Sequence, residues 1–267
     1  MTHARPFHSA EQAQRFDRRP VHPHLLWALD DLLPLNGSEQ VLDVGTGTGR
    51  VALRLLPLLP SGGVVGVDAA MAMLQRAGAK RSGAAGYRLI QGAAEHLPIR
   101  GGTADVALFA FALHHLADPL AGLREAGRAL KEDGRLVILD PIAAESVDDL
   151  DLALHSSLVA AFRPSQGPGF RFLTLREMRD LVERAGFVVS TAREVGLTFD
   201  DEALEQVPMG RHWHEAFAAL AGDARLRERF QVRYLSFDGQ PPRVTGRLLY
   251  AGIAATRGGD RERRVES

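Results

Sequence analysis

The sequence predicts an α/β protein: a seven-stranded, mostly parallel sheet with helices on both faces and helical lid insertions. Three observations predict it. Short apolar runs alternate with helical stretches over residues 41–140, the rhythm of strands joined by crossover helices. One run, V-L-D-V (41–44), enters a turn carrying Gly45, Gly47 and Gly49 and then an apolar helical stretch. The next run ends in a second acid, Asp68, and open α/β sheets bind ligands at such strand ends.

The runs at 41–44, 64–68, 87–91, 106–110, 136–140, 188–192 and 247–255 read as strands, each short and rich in Val, Leu, Ile or Ala. Helices are expected at 50–59, 69–81 and 120–131, with a short helical piece after Glu95. Asp133-Gly134 is read as the stop of the 120–131 helix. Thr174-Leu-Arg-Glu177 forms a capping box opening a helix over 175–185, which Gly186 closes.

Three segments break the rhythm. Residues 1–35 form a leader, expected to be a helical lid, whose Pro20–His24 stretch runs into an amphipathic 25–33. Residues 141–173 hold a helix over 150–162 and then a Gly/Pro loop at 164–169. Residues 197–246 are far longer than an ordinary connection, with helical runs at 202–206, 212–221 and 224–231. The core is thus 36–196 with 247–256, and the insertions at 141–173 and 197–246 form a substrate cap. The 197–246 insertion also offers a homodimer interface. The charged 257–267 tail reads as disordered.

Composition narrows the function classes. A formal net charge of −1 gives no general attraction for nucleic acid, and the adjacent acids spoil that reading for the arginines at 261–264. The chain has no cysteine, which removes disulfides, thiolate metal sites and a cysteine nucleophile. No apolar run approaches the ~20 residues of a membrane span, and the leader lacks a signal core, so a cytoplasmic protein is expected. No metal site is expected. His212-Trp-His214-Glu215 has ligand-like composition, but alternate residues of a helix point apart.

The glycine turn is a small-molecule cradle, since glycine lets backbone approach a ligand and adopt φ > 0. Asp43 beside it suits an ammonium group and would repel a pyrophosphate. Asp68 can take both hydroxyls of a ribose. Together they describe a site for a nucleoside that carries an amino acid.

The chain resembles the class I S-adenosylmethionine-dependent methyltransferases, in particular the type 11 methyltransferase domain of ubiquinone/menaquinone C-methyltransferase-like proteins. The pieces that carry the resemblance are V-L-D-V-G-T-G-T-G (41–49), V-G-V-D-A-A-M-A-M-L (65–74), Q-G-A-A-E-H-L-P-I (91–99), A-D-V-A-L-F-A-F-A-L-H-H-L-A-D-P (104–119) and E-A-G-R-A-L-K-E-D-G-R-L-V-I-L-D (125–140). The resemblance implies a Rossmann-like sheet and S-adenosyl-L-methionine as cofactor, released as S-adenosyl-L-homocysteine. Asp43, Gly45, Thr46, Gly47 and Gly49 would hold its methionine end, and Asp68 its ribose. Ala69 and Met73 would pack on adenine and ribose, although Met73 reads equally well as core.

The pair after Gly92 normally supplies an acid or amide and then a backbone donor to adenine. Here it is Ala93-Ala94, which keeps the donor and loses the side chain. Glu95 or a leader residue is expected to substitute. Phe111 would lie beneath the sulfonium. His114 and His115 are candidate bases, with orienting the turn as the competing role. Asp140 either contacts the acceptor or caps a turn. His22 and His24 are lid contacts or solvent-exposed groups, and Phe7 and Phe16 are lid anchors or pack on the core.

The implied reaction is in-line methyl transfer to a small, partly apolar acceptor, which the apolar runs at 154–162 and 217–220 favour. Two rivals stand beside it. One is a non-catalytic or repurposed S-adenosylmethionine-binding protein. The other is an NAD(P)-dependent oxidoreductase, against which Asp43 and the glycine spacing count.

Overall fold

The computed structural model describes residues 9–18, 21–81 and 85–258. Five strands form the parallel half of the sheet: β1 (Gln40–Val44), β2 (Gly63–Asp68), β3 (Tyr87–Gln91), β4 (Ala104–Ala110) and β5 (Leu130–Ile142). β6 (Phe187–Ala203), β7 (Leu235–Asp238) and β8 (Arg243–Arg257) complete it. The order is β3-β2-β1-β4-β5-β8-β6, with β7 pairing to β8. β8 runs antiparallel to β5, β6 and β7. The strand order reverses between the parallel neighbours β1 and β4, which places the carboxyl ends of β1, β2 and β4 around one crevice.

Burial explains the strand sequences. Val106 to Phe109 in β4 and Leu136 to Leu139 in β5 are wholly buried, as continuous apolar runs of a doubly covered parallel sheet must be. The crossover helices are α3 (Arg50–Leu55), α4 (Met71–Lys80), α5 (Pro119–Ala129) and α7 (Leu175–Arg184). The capping box is present: Thr174 N–H donates to Glu177 Oε2 at 2.8 Å and Glu177 N–H to Thr174 Oγ1 at 3.3 Å. Gly186 ends that helix at φ +94°.

Several elements differ from their sequence-based expectation. The 50–59 helix stops at Leu55 and tightens into a 3-10 turn (Leu56–Leu58), because Pro57 cannot donate to an α-helical ladder. α5 ends at Ala129, so Asp133-Gly134 lies inside β5, in an irregular stretch where the β4 register jumps from Leu130 to Arg135. α6 (Asp149–Gln166) continues through Pro164, and its loop begins at Gly167. Residues 202–206 are not helical: β6 runs on to Ala203, held in register by the long β8. β7 was not expected, and with it the sheet has eight strands. Arg257, expected in the tail, is the last residue of β8, while 259–267 lie outside the described residues.

The leader supplies α1 (Ala10–Asp17) and α2 (Pro23–Leu32). α2 buries Leu25, Leu29 and Leu32 in the main core. The 197–246 segment contributes α8 (Gly210–Ala219) and α9 (Ala224–Arg233) as well as β7. α6 and α9 are joined through Asp151, whose two carboxylate oxygens take Arg229 at 2.7 Å and Arg233 at 2.6 Å. Among the described residues no helix is long and apolar enough to cross a membrane.

Candidate active site

Asp43 is next to last in β1 and is 2% exposed. Its Oδ2 accepts the Thr46 hydroxyl at 2.7 Å, and Thr46 Oγ1 lies 3.2 Å from the Tyr87 hydroxyl. The turn that follows is stitched to β2: the amides of Gly45 and Thr46 both donate to the Val67 carbonyl. Gly45 and Gly49 sit at φ +75° and +74°. A Cβ on Gly45 would stand 2.5 Å from Ala112 Cβ, and one on Gly49 2.6 Å from the Tyr87 hydroxyl. Both positions therefore demand glycine for conformation and for space.

Asp68 closes the other side of the crevice. Its Oδ1 accepts Ala70 N–H and its Oδ2 accepts Gly47 N–H, each at 2.8 Å, so the carboxylate ties β2 to the glycine turn. A carboxylate has about four acceptor positions, and two amides do not exhaust it. Burial pushes the Asp43 carboxyl up to about 6; the Thr46 hydrogen bond opposes this, and the nearby Asp68 charge adds to it. A buried carboxylate in that condition is matched by a cation, and an ammonium beside Asp43 would supply one.

The far end of the crevice is built differently. Ala93 is exposed and opens a 3-10 turn (Ala94–His96), whose first N–H, that of Ala94, is one of the orphan donors of a helix start. Glu95, expected to substitute for the missing side chain, is engaged elsewhere. Its Oε1 accepts the amides of Ala117 at 3.1 Å and Asp118 at 3.3 Å, bracing the start of α5. Ala69 is exposed at the mouth, with its carbonyl bonded by Gln91. Met73 is buried and packs with Ala13, Ala70, Phe16 and Ala72, so of its two readings the structure favours core, at the junction of α1 and α4.

α1 lies across this crevice. A capping box at Ser9 and Gln12 starts it, and Asp17 at its end pairs with Arg76 (3.0 Å) and Lys80 (2.5 Å) of α4. Burial raises the Asp17 carboxyl, but the hydrogen bonds led by that from Lys80 outweigh it and bring it to about 2. Phe16 Cε1 comes within 3.6 Å of where a Cβ of Gly47 would be, and the Arg50 guanidinium sits 4.4 Å over its ring. Phe16 thus covers the glycine turn as a lid contact, while Phe7 lies outside the described residues.

Beyond β4 the chain turns sharply. Phe111 adopts φ +58°, uncommon for a residue with a side chain, and its N–H donates to Leu139 O at 2.8 Å. A 3-10 turn (Leu113–His115) follows. Asp140, fully buried, accepts His114 N–H at 2.9 Å and lies 3.0 Å from His114 Nδ1. Of the two readings of Asp140, its bond to the His114 amide under the turn is that of a turn cap, and its carboxylate also faces the His114 ring. His115 is pushed well below the usual histidine range by burial and then by His114, against a hydrogen bond to the Gln166 backbone. It stays neutral.

His114 and His115 open on a chamber of about 110 Å³. Its wall is mostly aromatic and includes Phe16, Phe111, Phe162, Phe170, Phe172, Trp213 and Tyr250. The rings of Phe162, Phe170 and Phe172 stack with centroids 5.5–6.3 Å apart. His22 also lines the chamber while its Nδ1 caps α2, and His24 packs edge-on to Trp27 instead. Phe217 packs on Phe230 and Phe237, away from that wall. Sequence reading missed Phe170, Phe172, Trp213 and Tyr250, which come from three distant segments with no shared spacing. The one available signal was aromatic density in segments already suspected of forming a cap. His212 and His214 diverge, the first stacking on Phe162 and the second packing on Phe237.

The same chemistry appears in known proteins. The family described as a methyltransferase domain matches residues 42–138. The chain is 40% identical over 109 residues to a ubiquinone/menaquinone biosynthesis C-methyltransferase of Syntrophotalea carbinolica, covering 40% of this chain and 46% of that protein. It is 33% identical over 191 residues to a malonyl-[acyl-carrier protein] O-methyltransferase of Geobacter sulfurreducens, covering 70% of this chain and 68% of that one. The crystal structure of the YcgJ protein of Bacillus subtilis shares the fold, with a TM-score of 0.69 at 23% identity over 88% of this chain and 99% of that one. The chain spans about half the length of the first curated relatives it matches. A shared glycine-turn core, together with 33% identity across two thirds of a named methyltransferase, assigns the chain to the class I S-adenosylmethionine-dependent methyltransferase family.

Proposed function

We propose that the chain transfers the methyl group of S-adenosyl-L-methionine to a small, partly apolar molecule held in the aromatic chamber. The observation that carries this is continuity. The Asp43–glycine-turn–Asp68 crevice borders a chamber walled by rings and two histidines: Gly45 packs against Ala112, next to the chamber's Phe111, and Phe16 both covers Gly47 and lines the chamber. The residues fit the cofactor: a buried carboxylate for its ammonium, a second carboxylate for its ribose, and glycines where a side chain would collide. When bound, it supplies an electrophilic methyl on a sulfonium.

The protein contributes position, dryness and a proton acceptor. Asp43 would hold the ammonium and Asp68 the ribose of the donor. Phe16 and the aromatic wall exclude water. Asp140 accepts a hydrogen bond from His114 Nδ1–H, which leaves Nε2 as the basic nitrogen, and an acceptor that must lose a proton gives it there. His114 suits this task better than His115, whose depressed basicity makes it a weak base. α1, α2 and the 197–246 segment form the cap that selects the acceptor. A cytoplasmic location, no part for nucleic acid and a homodimer through 197–246 complete the proposal. Val232, 76% exposed on α9, is an apolar group that this segment offers to a second copy.

The test uses methyl-labelled cofactor with the purified chain and a cell extract split into small-molecule, protein and RNA fractions. Label should enter the small-molecule fraction. Label entering only protein or RNA would overturn the acceptor class. The second reading, a cofactor-binding protein that transfers no methyl, is favoured by Ala93, which leaves adenine without its side-chain partner. It would be upheld by S-adenosyl-L-homocysteine binding with no label moved to any fraction.

A further inference from the structure

The chain has three tyrosines, and all three are buried. Two are engaged in the fold. The Tyr87 hydroxyl meets Thr46 Oγ1 at 3.2 Å, and the Tyr234 hydroxyl accepts Ala144 N–H at 3.1 Å. The third, Tyr250, lies on β8 beside Pro141, lines the chamber and is 6% exposed. Its ring meets Phe111 edge to face with centroids 6.0 Å apart. Its hydroxyl makes no hydrogen bond to any described residue.

Four other polar side chains on the wall each have a partner in the fold. His22 Nδ1 accepts His24 N–H, His114 Nδ1 is held by Asp140, His115 bonds the Gln166 backbone, and Gln166 Nε2 donates to Ser165 Oγ. A hydroxyl that lines a chamber and has no partner in the fold is open to bond a molecule held there. Burial, with the nearby Asp140 charge, pushes the Tyr250 phenol above its ordinary range, so it keeps its proton and has a hydrogen to donate at working pH.

We propose that Tyr250 is a positioning residue whose hydroxyl donates to the acceptor, and that the acceptor therefore presents a carbonyl or similar accepting oxygen on a flat apolar body. The aromatic wall takes the body, and Tyr250 sets which edge of it faces Phe111 and the methyl donor. A purely hydrocarbon molecule of the same shape fills the chamber without this orientation. The inference rests on the chamber being the acceptor site.

The experiment compares 2-acetylnaphthalene with 2-ethylnaphthalene, near in shape and differing in the accepting oxygen. Binding to wild type and Tyr250→Phe is measured by calorimetry in the presence of S-adenosyl-L-homocysteine, and the carbonyl stretch of the first probe by infrared difference spectroscopy. Wild type should bind the ketone with its carbonyl stretch shifted to lower frequency. Tyr250→Phe should bind it about tenfold more weakly, the worth of one hydrogen bond, and lose the shift. The ethyl probe should bind both proteins alike. The variant's melting temperature should stay level, because the hydroxyl has no partner in the fold to lose.

Equal ketone affinity and an unshifted stretch in both proteins would overturn the inference. So would a melting temperature several degrees lower in the variant, which would give the hydroxyl a structural role, or the failure of wild type to bind either probe. Homocysteine-product binding in the same samples separates the two readings. If it is absent, the methyltransferase proposal fails. If it is present and the ketone is not distinguished, only the role of Tyr250 fails.

Discussion

Asp43 carries a pH dependence with a definite sign. Its carboxyl titrates near 6 in the folded chain, against an ordinary value of 3.8. Between pH about 4 and about 6 the folded chain keeps a proton that the unfolded chain has released. The ligand-free protein should therefore lose stability as pH rises through that window. An ammonium-bearing ligand selects the ionised form, so S-adenosyl-L-homocysteine affinity should rise across the same window, approaching tenfold per unit below pH 6 and levelling above it. Calorimetry from pH 5 to 8 reads this. Asp43→Asn should flatten the profile and weaken binding roughly 10- to 100-fold, the range for a hydrogen bond to a charged group. Ala93 makes the opposite prediction. With Glu95 occupied at the start of α5, Ala93→Asp should restore the adenine partner and tighten product binding about 3- to 10-fold.

Among the elements, α1 is the one whose docking bears most directly on function. It touches the rest of the chain through a small apolar patch (Ala13, Phe16, Ala70, Met73) and the Asp17 pairs to α4. Asp17 is mostly covered, whereas Arg76 and Lys80 reach water, so the pairs contribute about 1 kcal/mol rather than the value of a buried bridge. Asp17→Ala should loosen α1 while leaving the core melting temperature within a degree or two. The readout is faster tryptic cleavage after Arg15 and Arg18, with slower cleavage when S-adenosyl-L-homocysteine is bound. Cleavage at the wild-type rate would show that α1 is held by other contacts.

How much of each element was legible follows from what shaped it. The parallel strands and the capping box at Thr174 were readable because local pattern and burial agree there. β7, the β6 extension and the lost 202–206 helix were not. Those residues carry no strong strand periodicity, and pairing along the long β8 decides their conformation. Pro164 and Pro57 show the same limit on a smaller scale. Each is a breaker by sequence, yet the last turn of α6 absorbs one and a 3-10 turn absorbs the other.

At the scale of the whole molecule, cofactor binding should act as a global stabiliser, because the crevice draws on β1, β2, β4 and α1 at once. Saturation at 100 times the dissociation constant contributes about 2.7 kcal/mol. That corresponds to a rise of roughly 5–10 °C in melting temperature for a domain of this size. Differential scanning fluorimetry with S-adenosyl-L-homocysteine checks it, and NAD(H) at the same concentration should give no rise.

By itself the sequence determined the cofactor end of this protein. Asp43, the three glycines and Asp68 sit within one strand–turn–helix–strand unit, and the chemistry they need is local: two acids at strand ends and backbone free to approach a ligand. The chamber proposed for the acceptor was decided by tertiary structure alone. Phe16, Phe162, Phe170, Phe172, Trp213 and Tyr250 come together from the leader, α6 and its loop, α8 and β8, and contacts between such distant segments leave no spacing to read. Asp140 shows the division within a single residue. Its place at the end of a strand was visible, but its commitment to His114 depends on β5 and the turn after β4 folding side by side.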